Sequence, residues 1–156
     1  MQQQFERSLE VPGDPELVWE AITDVNRVAS WVSIIGSAQE VEHLSRYKAV
    51  LADRLGPFKL RADLDIDVHE AEVGRLLRAY ATGEDRQVRS RISVELELSL
   101  SPRDRGTLVD MGGQYEVTGR PATLGASSIR KKANKILDEF FSNAENELAS
   151  LASRQQ

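Results

Sequence analysis

The sequence contains no cysteine, only two histidines and no long apolar run. The absence of cysteine excludes disulfides, thiolate chemistry and cysteine-based zinc sites. No stretch approaches the ~20 consecutive apolar residues that a transmembrane helix needs. The residues after Met1 show neither a basic n-region nor an apolar h-region. We therefore expect no secretory signal and a cytoplasmic protein.

Positive charge is also in the minority, because 20 lysines and arginines stand against 25 aspartates and glutamates, for a formal net charge of −5. Nucleic-acid binding is not expected, since the neutralisation of phosphates requires a basic face. The same charge disfavours attachment to an acidic membrane, although a local basic patch would permit peripheral contact. The length predicts a single domain over residues 1–156, with enough chain to bury a substantial core.

The N-terminal part predicts one strand followed by two short helices. Residues 5–11 alternate apolar and polar side chains at the two-residue period of a half-buried strand. Asp14 followed by Pro15 is typical of a helix N-cap and first turn. Asp24 is placed to cap a second short helix.

From about residue 37 the two-residue period returns, most clearly over residues 58–69 and 88–100. Turn residues separate these apolar runs at short, regular intervals, including a predicted turn at residues 83–85. This spacing predicts an antiparallel meander of six strands. Within its last strand, Gly112-Gly113 indicates a bulge or bend.

After the meander the apolar residues recur at three- and four-residue steps between Ile129 and Leu151. This period predicts a helix of about 25 residues, roughly 37 Å long, whose apolar stripe packs on the sheet. The fold class is therefore α+β, with a helix-grip arrangement of a curved antiparallel sheet of about seven strands around a long C-terminal helix. The gap between sheet and helix favours a ligand cavity.

Several short motifs occur in a distinctive order along the chain. They are Val11-Pro12, Val18-Trp19, Asp24-Val25-Asn26-Arg27-Val28-Ala29-Ser30-Trp31, Leu55-Gly56-Pro57-Phe58-Lys59, Gly106-Thr107-Leu108-Val109, Val117-Thr118-Gly119-Arg120, Leu124-Gly125, Ala133-Asn134-Lys135 and Phe140-Phe141. In order and spacing they resemble the CoxG family of carbon monoxide dehydrogenase subunits, which belongs to the START-like, Bet v 1-like (SRPBCC) superfamily together with polyketide cyclases. The similarity covers roughly residues 5–151.

The resemblance implies a noncatalytic module that serves a molybdenum hydroxylase of the carbon monoxide dehydrogenase type and binds a lipid-like or quinone ligand. Two features differ from the family pattern. Ile35-Gly36 stands where the family usually has Pro-Gly, which bears on any partner contact made by that loop. Many members also continue past the long helix into a membrane-anchoring tail, and the resemblance does not carry such an anchor over to this sequence.

The large side chains predicted to face the space between sheet and helix are candidates to line the cavity. Ordinary core packing would explain most of them equally well. Two tyrosines in the set would offer hydroxyl groups to orient a ligand. The candidates are Trp31, Phe58, Tyr80, Met111, Tyr115, Ile136, Phe140 and Phe141.

Basic residues crowd the start of the predicted long helix, where cations oppose the helix dipole. Lys131 and Lys135 also repel one another at i,i+4 spacing. A solvated face is the simpler interpretation, and a docking patch for an acidic partner or headgroup at the cavity rim is the alternative. The patch would contain Arg120, Arg130, Lys131, Lys132 and Lys135.

A row of acidic residues along one predicted strand, Asp63, Asp65 and Asp67 followed by His69, superficially suggests a metal site. Alternate residues on one strand face are nearly 7 Å apart, at about 3.4 Å per residue, so the four side chains cannot share one ion. His43 and His69 have no serine or acid at a spacing that suggests a catalytic dyad. No metal, cofactor or catalytic residue is therefore expected.

Three functional hypotheses remain from the sequence. The first is a module that binds a hydrophobic small molecule beside a redox enzyme complex. The second is a cyclase- or hydratase-like enzyme that uses polar cavity residues such as Tyr80, Tyr115 or Arg7. The third is an assembly factor whose cavity is incidental. The mostly apolar inward faces favour binding over catalysis.

Overall fold

A continuous antiparallel sheet of seven strands dominates the structure, a computed structural model that describes residues 2–154. The sheet has the strand order β1-β7-β6-β5-β4-β3-β2, so that the first two strands form its opposite edges. The elements in chain order are β1 (Gln2–Val11), α1 (Pro15–Ile22), α2 (Val25–Ser30), β2 (Ile35–Glu42), β3 (Arg46–Leu55), β4 (Phe58–Glu72), β5 (Leu76–Asp85), β6 (Ser90–Arg103), β7 (Gly106–Gly119), a 3-10 turn (Arg120–Leu124) and α3 (Ala126–Arg154). The predicted helix-grip fold is confirmed.

The two short helices begin at the residues that the sequence indicates. The Asp14 carboxylate accepts a hydrogen bond from the Leu17 backbone N–H at 2.9 Å, and Pro15 opens α1. Asp24 accepts from the backbone N–H groups of Asn26 and Arg27 at the start of α2. Both caps satisfy donors that the first turn of a helix leaves unpaired.

The sheet presents two distinct faces because side chains alternate along every strand. The inner face, which packs against α3, includes Leu60 and Ala62 of β4 and Leu98 of β6, all of them buried. The outer face carries the polar neighbours of these residues, such as Arg61 and Asp63, which are exposed. The alternation predicted for β4 and β6 therefore matches the structure.

Two local predictions within the meander are wrong. The expected turn at residues 83–85 is part of β5, whose pairing with β6 continues to Asp85, and the connection lies at residues 86–89. The expected bulge at Gly112-Gly113 is absent, because both glycines keep regular register with β1 and β6. Register shifts occur instead in β2 and near Val68 of β4.

Helix α3 has 29 residues, and its second half is fastened to α2. The Asn143 side chain donates to the Trp31 backbone carbonyl at 2.9 Å, while the Glu147 carboxylate accepts from both Arg27 and the Trp31 indole N–H. Leu148 and Trp31 are buried together in the larger core cluster. No helix formed by residues 2–154 has the length and apolar character needed to cross a membrane.

Gly119 ends β7 with φ 86° and ψ −156°, a conformation open in practice only to glycine. A Cβ at this position would also collide with the Arg89 backbone carbonyl. We expect Gly119→Ala to lower the free energy of unfolding by more than about 2 kcal/mol, measured by urea denaturation.

Gly74 provides a matched control, because its φ is also positive at 79° but no atom lies within 4 Å of the added Cβ. Gly74→Ala should therefore cost only the backbone strain, about 1 kcal/mol. Equal losses for the two variants would show that the contact with Arg89 is not tight.

Candidate functional site

A cavity of about 240 Å³ lies between the inner face of the sheet and the first half of α3. Most of its lining side chains are aliphatic, and they come from β1, β3, β4, β6, β7 and α3 together with one residue of the α2–β2 connection. They are Phe5, Ile34, Leu51, Asp53, Leu55, Leu60, Ile92, Val94, Tyr115, Val117, Ile129, Lys132, Ala133, Ile136 and Leu137.

The volume limits what the cavity can enclose. A dry cavity of roughly 150 Å³ accommodates benzene. A space of about 240 Å³ therefore holds one substituted ring or a short alkyl chain. A whole phospholipid or a long polyprenyl tail would extend beyond it.

One ion pair interrupts the apolar lining where β3 faces α3. The Lys132 ammonium lies 2.8 Å from an Asp53 carboxylate oxygen, and these side chains keep 29% and 22% of their surface exposed. Because both residues line the cavity and remain in contact with solvent, this pair marks its rim.

A second polar group lies where β1 approaches the start of α3. The Tyr115 hydroxyl donates to the side-chain carbonyl oxygen of Gln3 at 2.8 Å, and the Arg130 guanidinium donates to the same oxygen at 3.2 Å. The Gln3 amide in turn donates to the Ala126 backbone carbonyl at 2.9 Å. Gln3, only 8% exposed, therefore links the Tyr115 hydroxyl to the beginning of α3.

Burial raises the pKa of Tyr115 above its ordinary value, against a smaller lowering by the positive charge of Arg130. Burial likewise raises the pKa of Tyr47, which accepts a hydrogen bond from the Leu44 N–H. In both cases the folded state favours the neutral phenol.

This shift predicts a loss of stability at alkaline pH. A pKa that is higher in the folded than in the unfolded chain gives stability that is complete below about pH 10 and declines as the pH rises through the folded value. We expect the unfolding free energy to fall above pH 10, and to fall less steeply in Tyr115→Phe. Ultraviolet titration of the phenols is the direct check, and normal midpoints for both tyrosines would contradict it.

The structure brings two of the eight predicted ligand-binding residues, Tyr115 and Ile136, into the cavity lining. Trp31, Met111, Phe140 and Phe141 instead form part of the larger core cluster. In that cluster the ring of Phe140 packs edge-on against Trp31 and Phe141, with centroids 5.5 and 5.4 Å apart. Phe58 packs against a smaller cluster around Leu55 and Leu60, outside the cavity lining.

The prediction that Tyr80 faces the helix is wrong. Tyr80 pairs with Asp67 across β4 and β5, and its ring lies 6.2 Å from that of His69, so it belongs to the outer face. The inner positions of β5 on either side of it are occupied by Ala79 and Ala81. The largest apolar side chain of this strand therefore points away from the cavity.

The predicted basic patch is divided by its contacts. Arg120, Lys131 and Lys135 are exposed and form no ion pair with any residue in the range 2–154. Arg130 is exposed but hydrogen-bonded to Gln3. Lys132 is not a free member of the patch, because it is half-buried and paired with Asp53 at the cavity rim.

The acidic row of β4 lies on the outer face, where Asp67 pairs with Arg46 at 3.5 Å. The His43 ring nitrogen lies 2.9 Å from the Glu40 carboxylate on the exposed β2–β3 connection. Across the described part of the chain, no three histidine, aspartate or glutamate side chains lie close enough to hold a metal ion.

Sequence reasoning missed Asp53 and most of the aliphatic lining. A usable signal was present in β3, where Asp53 stands between Leu51 and Leu55 at the two-residue period. A carboxylate on an otherwise apolar face requires a partner. The strand pattern alone does not identify that partner as Lys132 on α3.

Comparison with known proteins adds a family and a fold. The family model for the carbon monoxide dehydrogenase component CoxG matches residues 8–149. No curated protein matches the sequence significantly.

Solved structures share the fold over nearly the whole chain. A conserved protein from Geobacillus kaustophilus superposes with a TM-score of 0.84 at 22% identity, covering 95% of this chain and 96% of its own. A START superfamily protein from Mycobacterium smegmatis has a TM-score of 0.74 at 13% identity, covering 95% and 98%. Ara h 8.0201 has a TM-score of 0.65 at 14% identity, covering 96% and 99%. At these identities the similarity concerns the fold alone.

Proposed function

The chain belongs to the CoxG family of carbon monoxide dehydrogenase subunits, and on that premise we propose that it is a noncatalytic module that binds a hydrophobic small molecule between its sheet and its long helix. The observation that carries the proposal is the apolar cavity of about 240 Å³ beneath the first half of α3. Concave, mostly apolar spaces with a few polar groups are the usual form of small-molecule sites.

The ligand we propose is lipid-like or a quinone, bound through a part that fits this space. One quinone ring or a short acyl segment would be enclosed, and the remainder of a longer molecule would leave the cavity at its rim. Burial of apolar ligand surface would supply the affinity, at about 25 cal/mol per Å².

The polar groups of the cavity support binding more than catalysis. General acid–base chemistry requires titratable groups that converge on one reacting atom. Tyr80 lies on the outer face, and Arg7 pairs with Asp138 at 2.6 Å. Lys132 and Asp53 engage each other at the rim.

An accessory role beside a molybdenum hydroxylase of the carbon monoxide dehydrogenase type is the finer part of the proposal. It is supported by family membership and by the exposed cations Arg120, Arg130, Lys131 and Lys135 on a chain of net charge −5. Such a patch would guide docking onto an acidic surface of the enzyme.

Native mass spectrometry of the purified protein, followed by organic extraction, tests the ligand proposal. A reproducible adduct that extracts into organic solvent as a lipid or quinone supports it. A protein that carries no adduct, and whose melting temperature no quinone or fatty acyl compound changes, contradicts it and favours an assembly factor with an incidental cavity.

Charge reversal tests the docking patch independently. Lys131→Glu with Lys135→Glu should weaken binding to the purified hydroxylase, with an effect that shrinks as salt is raised. Lys48→Glu, on an exposed outer-face position of β3, is the matched control. Equal weakening by control and test variants would point to net charge rather than to this patch.

A further inference from the structure

Two polar contacts fasten α3 to the side of the fold formed by β2 and β3. Lys132 pairs with Asp53 of β3, and seven residues further along α3 the Glu139 carboxylate accepts from the backbone N–H and hydroxyl of Ser33, the hydroxyl contact being 3.0 Å. Seven helical residues span about 10 Å. Between these contacts the cavity lining includes Ile34 and Ile136.

Positive charge predominates along this stretch of helix. Lys135 lies three residues after Lys132, a spacing that places both on the same side of a helix with Cβ atoms ~5–6 Å apart. The acids that could neutralise Lys135 from i+3 and i+4 are engaged elsewhere, because Asp138 pairs with Arg7 and Glu139 binds Ser33. Asp53 therefore offsets only one of the two lysines.

We propose that the ligand of this cavity is an amphiphile with one anionic group, of which a carboxylate is the simplest form. Its apolar part occupies the space under α3, and its anionic group is held at the rim by Lys132 and Lys135. This inference rests on the proposed binding function and narrows the class of ligand.

The geometry at Lys132 suits this role. An ammonium group has three donors, and the contact with the Asp53 carboxylate engages one of them at 2.8 Å. A ligand carboxylate would accept from another donor without breaking the pair. Asp53 orients the ammonium but also repels an approaching anion, so that its removal has a predictable sign.

A neutral ligand would gain little from this rim. The apolar lining contributes equally to an alcohol and to the corresponding acid of the same chain length, whereas only the acid receives charge-assisted hydrogen bonds. The comparison of two such probes therefore isolates the rim from the cavity.

The test is a titration of the protein with decanoate and, separately, with decanol, monitored by calorimetry and by NMR shifts of the cavity residues. We expect decanoate to bind about tenfold more tightly at low salt, the ratio expected from one half-exposed charge-assisted contact. Lys132→Met should abolish this preference and leave decanol binding unchanged. Asp53→Asn should strengthen decanoate binding severalfold, whereas Lys48→Met should have no effect.

The outcomes separate the two proposals. Equal affinity for decanol and decanoate in the wild-type protein overturns the anionic-ligand inference while the binding function stands. Binding of neither probe, nor of a quinone, contradicts the binding function itself. If Lys132→Met fails to fold, Lys135→Met and Asp53→Asn still decide the inference through their opposite expected signs.

Discussion

Replacement of Trp31 by alanine is expected to lower the free energy of unfolding by about 3–5 kcal/mol, the usual cost of deleting a large buried aromatic side chain. Trp31 is only 2% exposed, its ring packs edge-on against Phe140 with centroids 5.5 Å apart, and its indole N–H donates to Glu147. The variant loses the packing and leaves that carboxylate without one of its donors. Thermal and urea denaturation should show the loss, with a melting temperature about 10 °C lower or more.

Tyr80→Ala is the informative control for this experiment, since both residues are aromatic and both were candidates to line the cavity. Tyr80 is half-buried on the outer face against His69. Its removal should cost about 1 kcal/mol or less, the range of a cross-strand side-chain pair. A larger loss for Tyr80 than for Trp31 would contradict the assignment of the two faces.

The parts of the fold that were predictable depend on local signals. The caps at Asp14 and Asp24 require only the residue and its next two or three neighbours. The alternation of β4 and β6 is unambiguous because apolar and charged side chains strictly take turns over many residues. The long period of α3 is equally clear, and these elements leave few arrangements other than a sheet against one helix.

The failures occur where the local signal is weak or absent. Residues 79–81 read Ala-Tyr-Ala, and size alone favours burial of the tyrosine, whereas pairing of Tyr80 with Asp67 puts it on the outer face. Gly83 indicated a turn, but a Cβ there would lie 2.5 Å from a Leu64 side-chain atom, so the glycine allows close contact within the sheet. Both errors arise from strand pairing, which the local sequence does not reveal.

The position of the cavity is likewise a property of packing. The large aromatic residues of α3, Phe140 and Phe141, fill the second half of the gap against the Trp31 cluster. The first half of the helix presents the smaller Ala133 and the ion-paired Lys132 instead. The space therefore remains where side chains are small, and not where the most obvious hydrophobic residues occur.

Filling that space should abolish ligand binding while the fold remains intact. In Ala133→Phe the new ring would take up roughly the volume of a benzene molecule, for which ~150 Å³ suffices, leaving too little of the cavity's 240 Å³ for a ligand. Exclusion of about 100 Å² of apolar ligand surface corresponds to ~2.5 kcal/mol, an affinity loss on the order of fiftyfold. Stability should be unchanged or slightly higher, because cavity filling commonly stabilises a protein.

Ala149→Phe is the matched control, since it adds the same ring to an exposed position of the same helix. It should leave the affinity for decanoate or a quinone unchanged, and Ala133→Leu should give an intermediate loss. If a folded Ala133→Phe protein bound the ligand as tightly as the wild type, the ligand would have to lie outside the space beneath α3. The loss must therefore follow the volume added at position 133, because in this fold only that half of the helix leaves the inner face of the sheet uncovered.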